Sequence, residues 1–201
     1  MFSKKNKKIK KGLVLSKKGF TLIEMLIVIV IIGILAAALI PRLSSARGRA
    51  NDVARKADLA QVAATLVAYQ IDRGSFPTTG GALTNIATDL VSAGMSSIPT
   101  DPNSNRSFSG ISNTSITGGQ YGYTHIRKGG ISGNGFVVMA ATETEGGSNW
   151  VYTGNIDNNT NYEDINLCKS FEQISTGSPS NTNGHCIHVK GQDNLRYIYL
   201  Y

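Results

Sequence analysis

Acidic residues are absent from the first 19 positions of this 201-residue chain, where Lys4, Lys5, Lys7, Lys8, Lys10, Lys11, Lys17 and Lys18 stand. The net charge of +7 therefore belongs to the N-terminus, because from Phe20 onward 12 basic residues face 13 acidic ones. That distribution gives no support to a nucleic-acid-binding surface. Histidine is scarce, at three residues, and no nucleophile–base set or working carboxylate pair stands out around them. No glycine-rich stretch, "GGISGNG" included, matches a phosphate loop or dinucleotide fingerprint. The chain is read as non-enzymatic. Cysteine is limited to Cys168 and Cys186, and no internal repeat is present.

Residues 20–40 form a 21-residue apolar run interrupted by Thr21 and Glu24. As a helix the run spans roughly 30 Å, one hydrocarbon core. Eight lysines precede it, and Arg42, Arg47 and Arg49 follow it. The larger basic cluster keeps the N-terminus in the cytoplasm and sends the rest outward. Residues 41–73 continue as an amphipathic helix. Val53, Ala57, Ala60, Ala64, Val67 and Ile71 form one apolar row, with Leu59, Val62, Leu66 and Tyr69 beside it, and both are expected to face the core. Gly74 and Pro77 end the helix.

From residue 74 the composition shifts to Gly, Ser, Thr and Asn. A short helix is expected at 82–93 and strands near 120–126, 135–142, 149–153 and 194–200. Tyr121, Tyr123, Tyr197, Tyr199 and Tyr201 read as sheet and core residues. In an exported head, Cys168 and Cys186 read as one disulfide. Two alternatives stay open: free thiols, or a Cys2His2 zinc site with His185 and His188 at poor finger spacing.

Lys17-Lys18 followed by Gly19, Phe20, Thr21, Leu22, Ile23 and Glu24 resembles the class III signal of type IV prepilins, shared by secretion pseudopilins and competence pilins. The likeness extends through Gly33, Pro41, "GSFPT" and "PTDP" to "YGY", and is only general beyond about residue 125. It implies an α+β "lollipop": a long N-terminal helix, membrane-spanning in its first half, packed on a small antiparallel-sheet head at 74–201. A prepilin peptidase would remove the leader 1–19 by cutting after Gly19 and methylate the new terminus at Phe20. The hydrophobic helix would then form the core of a homopolymer. Minor pilins and an inner-membrane platform with cytoplasmic ATPases would be partners, with membrane lipid around the helix before assembly. The precursor would sit in the cytoplasmic membrane and the mature chain in a surface filament serving adhesion, twitching or DNA uptake. Alternatives are a type II secretion pseudopilin, a minor pilin, or a membrane-anchored binding domain that never polymerises.

A carboxylate in lipid is costly, and cleavage would create a positive amine on Phe20. The resemblance implies that Glu24 pairs with the amine of a neighbouring subunit, positioning it. The competing assignment is a carboxylate lying at the membrane interface. Gly33 and Pro41 weaken the helix, and the resemblance implies that this stretch extends under packing; a fixed kink is the alternative. The 168–186 loop would correspond to the disulfide-bounded region of many type IV pilins. No cofactor is expected. Calcium on the acids of "TDPNSN" or on Asp157, Glu163 and Asp164 is weighed against turn chemistry, which is preferred.

Overall fold

A computed structural model describes residues 19–182, 184–192 and 194–201. Leader positions 1–18 lie outside the described residues. The chain divides into two units, the first ending at Arg42 and the second running from Leu43 to Tyr201.

The first unit is helical. It carries the start of α1 (Leu22–Arg73), which continues through Gly33 and Pro41 without a break. Proline removes one backbone donor here, yet the helix runs on through it. The apolar side chains stand exposed, Leu22 at 83% and Ile34 at 67%.

The second unit is α+β. It holds the remainder of α1, then β1 (Gly81–Ala82), a 3-10 turn (Leu83–Ile86), α2 (Ala87–Ser92), β2 (Phe108–Ile111), β3 (Thr114–Ile116), β4 (Gly122–Lys128) and β5 (Ile131–Ala141). There follow β6 (Trp150–Val151), β7 (Ser170–Ile174), β8 (Ser180–Thr182), β9 (His185–Val189) and β10 (Leu195–Leu200). The main sheet has the order β1-β4-β5-β10-β6 and every pairing in it is antiparallel.

Both faces of this sheet are covered. Successive side chains of a strand point to opposite faces. On one face Phe136, Val138, Ala140, Tyr121 and Tyr123 pack with Leu59, Val62, Ala63 and Leu66 of α1, and Tyr197, Tyr199 and Tyr201 join them. On the other face Val137, Met139, Ala141 and Ile198 pack under the β2–β3 hairpin, with Phe108, Ile111 and Ile116, and under Ile156 and Ile165 of the following coil. This explains why "FVVMAA" in β5 is a continuous apolar run, as a strand buried on both faces requires. The hairpin turns through Ser112 and Asn113, both at positive φ (50° and 55°), as a two-residue type I′ turn demands.

Two expectations need correction. Of the two helix rows, only that of Leu59, Val62 and Leu66 is buried. The other faces mostly out, with Val53 at 66% and Ile71 at 79% exposure and Ala57, Ala60 and Ala64 exposed with them, while Val67 alone of that row is half-buried against the core. The buried row continues N-terminally through Arg55, Asp52 and Gly48, so polar side chains occupy part of the core-facing side. The head is also not wholly antiparallel, because a second sheet, β7-β9-β8, pairs β7 with β9 in parallel. Gly74 takes positive φ (81°) and its N–H reaches Gln70 O at 2.7 Å, the left-handed helix stop expected there.

Candidate functional site

Two places concentrate chemistry, one at the start of α1 and one inside the head. At the first, Thr21 immediately precedes the helix. Its N–H and its hydroxyl both donate to Glu24 Oε2 at 2.7 Å, and Glu24 N–H donates back to Thr21 Oγ1 at 3.3 Å. This is a capping box, a threonine and a glutamate three residues apart satisfying each other's helix-end groups. "TLIE" carries that signature in the sequence, and reading Glu24 only for its charge misses it. Gly19 and Phe20 precede the helix; Phe20 is 79% exposed. Apart from adjacent residues and the helix's own backbone, nothing lies within 4 Å of the Cβ position of either Gly19 or Gly33. Gly33 and Pro41 are both helical within α1.

The second place was not anticipated. Arg55 is fully buried, and its guanidinium meets three carboxylates. Nε and Nη2 bind Asp101 side-on at 2.7 and 2.6 Å, Nη1 binds Asp52 at 2.7 Å, and Nη2 also reaches Glu143 Oε1 at 2.8 Å. Burial disfavours the charge on Arg55, but its bonds to Asp101 and Glu143 prevail and raise its pKa further above the ordinary value. Burial pushes the Glu143 carboxyl up, yet the hydrogen bonds from Arg55 and Asn51 outweigh it and hold Glu143 below the usual carboxylate range.

Asp52 ties the cluster to the backbone. It accepts the N–H of Glu143 and of Thr144, each at 2.9 Å, and the Thr144 hydroxyl at 2.6 Å. Asp101, from "PTDP", also accepts Asn103 N–H at 2.8 Å. Three segments distant in sequence, α1, the 100–103 turn and the 143–147 turn, are thereby joined around one guanidinium. Glu145 extends the chain of contacts: its Oε1 pairs with Nε2 of His188 in β9 at 2.7 Å.

Cys168 and Cys186 form a disulfide. It closes onto a small apolar cluster with Val151, Leu195 and Phe171, which seats β7-β9-β8 against the β6–β10 side of the main sheet. The zinc alternative is overturned, since both thiols are in the bridge and His188 is engaged by Glu145. His185 Nδ1 lies 2.7 Å from Ser170 Oγ. Among the described residues no group of three His, Cys, Asp or Glu side chains is placed to hold a metal ion. The acids weighed for calcium have other partners: Asp101 holds Arg55, Asp157 accepts Asn159 N–H at 2.9 Å within its own turn, and Asp164 accepts Asn161 Nδ2 at 2.8 Å.

The chain thus pairs an exposed apolar helix with a capped start and a disulfide-braced α+β head; α1 is the one described helix long and apolar enough to cross a membrane. Comparison with known proteins narrows the reading. The family described as "Prokaryotic N-terminal methylation motif" matches residues 15–40. The type IV wide pilus major component PilA4 of Thermus thermophilus is 49% identical over 82 residues, which cover 41% of this chain and 57% of that protein. The type II secretion system core protein G of Pseudomonas aeruginosa is 41% identical over 63 residues (31% and 44% coverage), and that of Escherichia coli is 34% identical over 70 (35% and 48%). The chain spans about half the length of these curated relatives. No solved structure matches. The methylation motif and these partial matches make the N-terminal part of the chain similar to type IV pilins and to type II secretion pseudopilins.

Proposed function

We propose that the chain is the structural subunit of a type IV pilus filament. The observation that carries this reading is the continuity of the methylation motif at 15–40 with the first stretch of α1, whose apolar side chains stand unburied in the isolated chain. Such a surface needs lipid first and other subunits afterwards. On this reading prepilin peptidase cuts after Gly19, and Phe20 becomes the N-methylated terminus. The leader stays inside, the head outside, and residues 20–40 hold the precursor in the cytoplasmic membrane. The chain then polymerises with identical copies and minor pilins, on a platform driven by cytoplasmic ATPases. Its role is assembly, with no catalysis and no cofactor. The filament serves adhesion, twitching or DNA uptake.

Glu24 has two successive partners on this reading. In the isolated chain Thr21 holds its carboxylate. In the filament the Phe20 amine of a neighbour joins it, and the cap has already fixed where the carboxylate points. Gly33 and Pro41 lie in the stretch that would extend under packing. A second reading, a pseudopilin, is favoured by the core protein G relatives, while the bridged 168–186 segment fits a pilin better. The test is to express wild type and Gly19→Val with the assembly machinery and shear the cells. Wild type should appear in fibres, and Gly19→Val should keep its leader and stay in the membrane. Fibres that contain Gly19→Val in normal amount, or wild type confined to the membrane, would contradict the proposal.

A further inference from the structure

An open groove of about 510 Å3 runs along α1 in the head, lined by Ser45, Arg49, Asp52, Val53, Lys56 and residues 144–147. Arg49 and Lys56 are seven residues apart, two helical turns, and so share one side of α1. The acids of the groove are already used: Asp52 by Arg55 and the backbone at 143–144, Glu145 by His188. The cations are not. Among the described residues neither has a carboxylate partner; Lys56 Nζ reaches only Gly146 O at 3.3 Å and the Tyr197 ring. Val53, 66% exposed, supplies an apolar floor between them. The groove thus asks for carboxylates beside an apolar side chain.

The same chain carries that combination elsewhere. Glu163 and Asp164 lie in an exposed 3-10 turn, Tyr162–Asp164. Among the described residues their carboxylates accept from neutral donors alone, Gly129 N–H to Glu163 and Asn161 Nδ2 to Asp164. Glu163 thereby sits against the 129–130 turn, next to Ile131, which is 62% exposed. The groove belongs to the helix side of the sheet. The acidic turn belongs to the other layer, where Tyr162 and Ile165 pack. One copy cannot bring the two together, but two copies can.

We propose that the Glu163–Asp164 turn of one copy seats in the Arg49–Lys56 groove of the next, with Ile131 against Val53. Because the two patches differ, the contact is heterologous, the kind that runs on as an open filament when its rotation does not close. This inference rests on the filament reading above. Its test places Val53→Cys and Ile131→Cys in one full-length chain, with each single variant as control. After mild oxidation, sheared fibres of the double variant should give a ladder of multimers on a non-reducing gel, and the single variants none. Reversing the groove (Arg49→Glu with Lys56→Glu) or the turn (Glu163→Lys with Asp164→Lys) should each reduce fibres roughly tenfold, and combining them should restore most of the yield. Fibres of the double-cysteine chain without a ladder, together with normal assembly of either reversal, would overturn the contact while leaving the filament reading intact. Absence of fibres from wild type would overturn the filament reading, and this contact with it.

Discussion

Glu24 caps the helix start, and on the filament reading its charge also meets a neighbour's amine; a single substitution can tell the two apart. Glutamine keeps a capping box, because its carbonyl can accept from the Thr21 N–H, but it has no charge to offer an amine. Glu24→Ala loses both, with the cap worth about 0.5–2 kcal/mol at the helix start. If the charge drives assembly, Glu24→Gln and Glu24→Ala both insert, are cut after Gly19 and accumulate in the membrane with few fibres. Fibre yield from Glu24→Gln equal to wild type would show that the cap alone matters. Arg55 allows an equally sharp test. Its removal strands Asp52, Asp101 and Glu143 together, so Arg55→Ala should destabilise the head by about 3–5 kcal/mol, read as a fall in melting temperature. Acid should act through Glu143. Its folded pKa is depressed from the ordinary 4.5, so its charge stabilises the fold above the unfolded value, and that contribution is lost as pH falls through the folded pKa. Glu143→Gln should therefore melt below wild type at neutral pH, and the gap should close in acid below the ordinary glutamate value. A gap that stays constant with pH would argue against this role.

Among the elements, α1 shows where sequence and structure part. Its existence, its end at Gly74 and its apolar periodicity are legible in the sequence. Which row faces the core is not, because Asp52 and Arg55 lie on the buried side, and a charged side chain is normally a mark of the solvent face. Only tertiary partners brought by the 100–103 and 143–147 turns make their burial tolerable. The consequence is measurable: Leu66→Ala should cost about 2–5 kcal/mol, whereas Val53→Ala should change head stability by less than about 0.5 kcal/mol. The turn is equally constrained at Gly147, where an added Cβ would overlap the Asp52 carboxylate. Strands β4, β5, β6 and β10 are readable from their Val, Ile and aromatic residues. The β2–β3 hairpin and the β7–β9 pair are not, being short and broken up by Ser, Gly, Glu, Gln and His. A parallel pairing is also set by long-range closure, to which local pattern is blind. At the helix start the capping signature was present in "TLIE", and at the cysteines the pairing was readable from compartment and count.

In the whole molecule the disulfide and the Arg55 cluster work on adjoining parts of the head, linked through Glu145 and His188. With its ends 18 positions apart in sequence, the bridge should contribute about 2–4 kcal/mol. Cys168→Ser should lower the melting temperature of the full chain and the yield of fibres. The larger requirement is that the apolar first stretch of α1 be covered by lipid or by other subunits, and on the proposed reading processing releases it for the second. The most direct measurement of the central claim is the intact mass and N-terminal sequence of subunits taken from sheared surface fibres. The account predicts abundant chain beginning at methylated Phe20, with the leader gone and Cys168 and Cys186 still joined. Fibres without this chain, or a chain beginning at any other residue, would contradict it.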